Sequence, residues 1–152
     1  MTTPAFGNDA RALWFTAPGK AALRSGAICA PAAGEICTIR SLYSAVSEGS
    51  ERLVLAGKVP PELHQSMRVP YMEGDFSFPV KYGYSLVGVV DKGASHLLGA
   101  VVHLLHPHQD ICCVDSADVF PVPEGVPARR AVLASNLETA VTAIWDARPG
   151  LG

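Results

Sequence analysis

Glycine or proline falls every few positions through the first 125 or so residues of this chain, and that punctuation constrains its folding more than any other feature. Proline lacks a backbone donor, and glycine pays the largest entropy cost on ordering, so such spacing favours short strands joined by turns. Residues 10–16 (ARALWFT) predict a strand, Pro18-Gly19 a turn, and residues 21–28 a second strand. Gly34-Glu35 then opens 36–46 (ICTIRSLYSAV), whose β-branched and aromatic content suits a long strand. Residues 50–56 (SERLVLA) read as a short helix capped by Ser50 and ended by Gly57. Residues 59–79 hold Pro60, Pro61, Pro70 and Pro79 and are expected to be irregular. Strands follow at 82–91 (YGYSLVGVVD), 100–105 (AVVHLL), 111–114 and 119–122. Many short strands with turn signals between them argue for a mainly β barrel or sandwich with a few short helices.

The last quarter changes character. Pro127 is a good first helical residue, and 128–134 has helical composition. Ser135-Asn136-Leu137-Glu138 has the form of a capping box, with Ser at the cap and Glu three residues on. The helix it opens carries Leu137, Val141, Ile144 and Trp145 at three- and four-residue spacing, an apolar stripe, and Arg148-Pro149-Gly150 stops it. Leu151-Gly152 offers no element to tie that end down. A mainly β unit ending in a striped helix without a partner is expected to be the front part of something longer.

Composition removes several classes of function. A hydrophobic share of 49% with 17% charged residues excludes intrinsic disorder. A formal net charge of −2 lacks the basic footprint of a nucleic-acid binder. No uninterrupted apolar run is long enough to span a bilayer, and the start MTTPAFGNDARALWF has no signal-peptide pattern. Cys29, Cys37, Cys112 and Cys113 form no C-x-x-C pair, so each is expected to be a small buried apolar residue in a reducing cytoplasm.

The order of several short motifs resembles the N-terminal half of the medium-chain dehydrogenases/reductases, the zinc-type alcohol dehydrogenase relatives. These are Gly34-Glu35, Tyr43-Ser44-Ala45-Val46-Ser47, the run from Lys81 to Val90, Val122-Pro123-Glu124-Gly125-Val126, and Leu137-Glu138-Thr139-Ala140. The resemblance covers nearly the whole chain, with 59–79 similar to an insertion found in some branches. It implies a GroES-like β-barrel over residues 1–126 and connecting helices over 127–152. The connecting helices would lead to a Rossmann domain that binds NAD or NADP, and this sequence stops before that domain. Gly150-Leu151-Gly152 precedes the expected cofactor strand and is not a G-x-G-x-x-G fingerprint. The chain is therefore expected to be part of an oxidoreductase acting on a small molecule, and not active alone.

Zinc-binding members supply a Cys, a His in Gly-His-Glu, and a third donor before the connecting helix. The matching positions here are Ser47, Tyr84 (followed by Ser85 where Glu usually stands) and Ser135. Neutral hydroxyls are poor zinc ligands, so no zinc is predicted. The resemblance to the zinc-free, quinone-oxidoreductase-like branch implies hydride transfer to or from a carbonyl, alcohol or activated alkene. Tyr84 is the candidate donor to a substrate oxygen, Ser47 a candidate for positioning substrate or nicotinamide, and Thr139 matches a nicotinamide contact. Tyr84 as strand filler, and Ser47 and Thr139 as local backbone caps, stand beside those roles. Glu48 and Glu51 would add charge near the site in one reading, and are expected to be solvated carboxylates at a helix start.

His103, His106, His108, Cys112 and Cys113 offer metal-capable donors in a short stretch, but His103 and His106 face opposite sides of a strand and Pro107 interrupts it. His64 and His96 are expected to be exposed. Two rivals remain. One is a stand-alone GroES-like interaction module that buries the 137/141/144/145 stripe against its own barrel or a twin. The other is an alcohol-oxidising enzyme holding zinc through Glu138 or Glu48. Neither the substrate, the choice between NAD and NADP, nor pairing of two copies is decided by these residues.

Overall fold

Pro18 presets φ and Gly19 accepts a φ of +70°, so the chain reverses there in a two-residue turn. That turn pairs strand β1 (Asp9–Ala17) with β2 (Lys20–Ala27). In this computed structural model, which describes residues 9–150, the order continues with β3 (Ile36–Ser44) and helix α1 (Ser50–Leu55). Next come β4 (Glu73–Gly74), β5 (Val80–Lys81), β6 (Leu86–Lys92), β7 (Val101–Leu104), β8 (Ile111–Asp115) and β9 (Phe120–Pro121). Helices α2 (Ala128–Ala131) and α3 (Ala134–Ala147) complete it. The expectations for the amino-terminal leader and for Leu151-Gly152 fall outside the described residues.

All strand pairs are antiparallel and form two sheets, one ordered β2-β1-β5-β4 and the other β8-β3-β6-β7-β9. The fold is mainly β, as the sequence predicts. Residues 108–110 stitch the sheets together: Leu13 donates to the His108 carbonyl (2.9 Å), Asp110 to Arg11 (3.0 Å), and Ser41 to Asp110 (2.8 Å). The larger core lies on the second sheet, where Cys37, Ile39, Leu86, Val102, Leu104 and Val114 each have no exposed surface. Gly88 lies at its centre, where a Cβ would meet Ile39 Cγ2 at 2.5 Å and the Arg40 carbonyl oxygen at 2.6 Å. A second core gathers Phe15, Val54, Val59, Phe76, Val80 and Tyr82 beneath the first sheet and α1.

The structure shifts several boundaries. The strand expected at 82–91 starts at Leu86, because residues 82–85 carry the chain from β5 in one sheet to β6 in the other and pair with neither. Gly83, at φ +135°, makes that crossing. The long strand ends at Ser44 rather than at 46. The stretch 59–79 is largely irregular but contains a 3-10 turn at Pro61–Leu63 and strand β4. Ser50 is the first residue of α1 rather than its side-chain cap. Cys37 and Cys112 are buried as expected and Cys113 is partly so, whereas Cys29 is exposed. His96 is exposed, but His64 is partly covered, with its ring 5.1 Å from that of Phe76.

The capping box does not form. α3 begins one residue before Ser135, whose hydroxyl is buried and donates to the Tyr84 carbonyl (3.0 Å). Ser85, in turn, donates to the Val132 carbonyl. Two serine hydroxyls thus fasten the α2–α3 junction to the 84–85 crossing, and tertiary hydrogen bonds replace a local cap. α3 ends as expected, with Arg148 left-handed at φ +42°.

Candidate functional site

The crossing between the sheets and the start of α3 enclose a groove of about 630 Å³. Tyr84, Ser135, Glu138 and Thr139 line it, with Arg68, Val69 and Pro70 on the facing loop. Tyr84 is half-buried, and its ring stands edge-on to Tyr82, 6.4 Å away. Burial pushes the Tyr82 phenol up to about 12, and its hydroxyl donates to the Met67 carbonyl (2.9 Å). Tyr82 therefore lies in the core behind Tyr84 and does not line the groove. The Tyr84 hydroxyl has no protein partner among the described residues, which leaves a phenolic donor available to a ligand in the groove.

Thr139 is exposed, and its Oγ1 donates back to the Ser135 carbonyl (3.3 Å), a bond one turn down its own helix. Ser47 does not line the groove. It lies in the loop after β3, which runs beside the crossing through a bond from Ala45 to the Ser85 carbonyl (3.1 Å). The structure thus brings Tyr84, Ser135 and Thr139 together and holds Ser47 on the neighbouring loop.

Glu51 corrects an expectation. It is 1% exposed rather than solvated. One carboxylate oxygen accepts the Ser47 backbone N–H (2.8 Å), and the other accepts His108 Nε2–H (2.7 Å). Glu48, by contrast, is exposed as expected. A buried carboxylate needs such partners, since an unpaired charge there is expensive. No local pattern in the sequence signals this pair, which joins positions 57 residues apart.

The three histidines diverge. His103 Nε2 lies 3.3 Å from Ser135 Oγ, with burial lowering its pKa. His106 stacks on Tyr71, donates from Nδ1 to the Pro107 carbonyl (2.8 Å), and is pulled down to about 4 by burial. His108 turns to Glu51. Among the described residues no three His, Cys, Asp or Glu side chains gather as metal ligands. The positions matching a zinc set, Ser47, Tyr84 and Ser135, present hydroxyls that do not fit a zinc ion.

A second cavity, of about 620 Å³, adjoins the groove at Leu105, Ser135 and Glu138, runs between His103, Phe120, Val126 and Leu137, and is largely apolar. The stripe of Leu137, Val141, Ile144 and Trp145 is exposed, by 57%, 40%, 58% and 72%, so it is not buried against this chain's own sheets.

Several solved structures share this arrangement of sheets and helices. A short chain alcohol dehydrogenase (rspB) from E. coli CFT073, complexed with NADH, superposes with a TM-score of 0.65 over 94% of this chain, at 16% identity. The quinone oxidoreductase from Thermus thermophilus matches with a TM-score of 0.58 over 93%, at 19% identity. S. aureus TarJ in complex with NADPH matches with 0.57 over 91%, at 14% identity. The chain has the fold of part of these proteins. It spans 47%, 42% and 41% of their respective lengths. Neither a family model nor a curated protein matches the sequence. The likeness agrees, at the level of fold, with the resemblance to medium-chain dehydrogenases/reductases. Among the described residues no helix is long and apolar enough to cross a membrane.

Proposed function

We propose that this chain is the substrate-side part of an NAD(P)-dependent oxidoreductase that works without zinc on a small carbonyl, alcohol or activated alkene. The observation that carries the reading is the fold likeness, over more than nine-tenths of the chain, to oxidoreductase structures holding NADH or NADPH. The donor chemistry supports the zinc-free form, since hydroxyls stand at all three matching positions. In this reading residues 127–152 connect to the nucleotide-binding domain, and the exposed α3 stripe faces that side.

A bound nicotinamide supplies or takes the hydride. The chain's own residues do the rest. Tyr84 donates a hydrogen bond to the substrate oxygen and stabilises the charge that develops there. Arg68, Val69 and Pro70 close the facing wall, and Thr139, which also lines the groove, would contact a bound nicotinamide. Ser47, on the neighbouring loop that Ala45 ties to the crossing, helps position substrate or nicotinamide.

The test is Tyr84→Phe in the full-length protein this reading requires, assayed by NAD(P)H oxidation with quinones, enones and aldehydes. Loss of one such donor lowers kcat by about 10²–10³-fold, and unchanged turnover removes Tyr84 from the chemistry. One equivalent of zinc per purified chain overturns the zinc-free reading. Coenzyme reduction by residues 1–152 alone overturns the division of labour.

A further inference from the structure

Glu51 and His108 are buried in the protein, being 1% and 7% exposed. Such a pair within a core is weak evidence for stability, because apolar residues of similar volume serve as well. The geometry around it is specific. Glu51 uses both oxygens, one on the Ser47 N–H and one on His108 Nε2–H. The imidazole also presses on Gly83, the residue before Tyr84: a Cβ built there would lie 2.9 Å from Nε2. One pair of side chains therefore touches both the loop that carries Ser47 and the crossing that carries Tyr84. His108 Nδ1 is buried and has no partner among the described residues, so the ring accepts an unsatisfied atom to hold this place.

We infer that Glu51 and His108 are positioning residues that hold the Ser47 loop and the Tyr84 crossing in fixed relation. The inference rests on the reading of Tyr84 and Ser47 as site residues, although its test does not depend on turnover. Neither side chain lines the groove, and neither is catalytic. Glu51 acts through its two acceptor oxygens. His108 acts through one donor and through the bulk that makes glycine necessary at position 83.

Amide and aromatic NMR spectra of the 152-residue chain decide the matter. His108→Leu is expected to move the Ser47 amide and the Tyr84 ring signals several-fold more than the amides of Val102 and Val114, which lie in the other core. His108→Gln, whose side-chain N–H reaches about as far as Nε2–H, is expected to return both sets toward the parent positions. A merely structural pair would disturb all reporters alike and would not be rescued selectively. The inference is overturned if Ser47 and Tyr84 shift no more than the core reporters in folded His108→Leu, or if His108→Gln matches His108→Leu. Should His108→Leu fail to fold, Glu51→Gln replaces it. The amide keeps the volume but loses one acceptor, so unmoved Ser47 and Tyr84 signals then refute the pairing. An inert enzyme bears on the proposed function alone and leaves this result standing.

Discussion

Replacing His108 by leucine should be costly, and replacing Glu51 as well should recover about half of the cost. In the single variant the carboxylate stays 99% buried and loses its 2.7 Å donor, keeping just the Ser47 N–H. Breaking a buried pair by removing one partner costs about 3–5 kcal/mol. The same change removes the unpartnered Nδ1, whose desolvation costs about 1–3 kcal/mol. The difference puts the net loss at about 2 kcal/mol, or a fall in Tm of roughly 4–8 °C for a chain of this size. In Glu51→Met/His108→Leu both polar groups are gone, and the Ser47 N–H, on a half-buried loop, is left to find water at about 1 kcal/mol. The double variant should therefore be more stable than the single one. Equilibrium urea unfolding of the four proteins of the cycle measures this directly. The reasoning fails if His108→Leu costs under about 1 kcal/mol, or if the double variant loses as much as the two singles added together.

Gly88→Ala is expected to destabilise by at least about 1–3 kcal/mol, because the new Cβ would meet the Arg40 carbonyl at 2.6 Å and backbone cannot yield cheaply; thermal unfolding checks it. His106 is neutral in the fold, with its pKa held near 4 by burial, while the unfolded chain protonates it near 6.5. Its contribution is thus present above pH ~6.5 and falls by about 1.4 kcal/mol per unit as the pH drops toward 4. His106→Gln should flatten that part of the stability profile relative to the parent, and parallel profiles would refute the assignment. Trp145→Ser, at a side chain 72% exposed, should change unfolding free energy by less than about 0.5 kcal/mol; a larger loss would show that the stripe is covered within this chain.

Local chemistry was enough to locate most elements. The Pro18-Gly19 turn, the β-branched run in β3 and the Arg148-Pro149-Gly150 stop each act through φ/ψ preferences of neighbouring residues, and the structure keeps all three. The mainly β class follows from the same punctuation. What local chemistry misplaced involves partners far along the chain. Residues 82–85 have strand composition, yet they cross between sheets because β5 pairs with β1 while β6 pairs with β3. Ser135 has the pattern of a cap, yet its hydroxyl reaches Tyr84, 51 positions earlier.

The candidate site divides in the same way. Tyr84 and Thr139 could be singled out by their place among ordered motifs, and the fold sets both on one groove. Glu51 reads from the sequence as a solvated carboxylate at a helix start, since its buried partner His108 lies 57 positions further along the chain. His108 reads as one of several scattered histidines. Their pairing exists because residues 108–110 bridge the two sheets and bring the imidazole beneath α1 and against Gly83. Short-range preferences decide which segments extend, turn or coil; the closing of one sheet upon another decides which buried charge meets which donor.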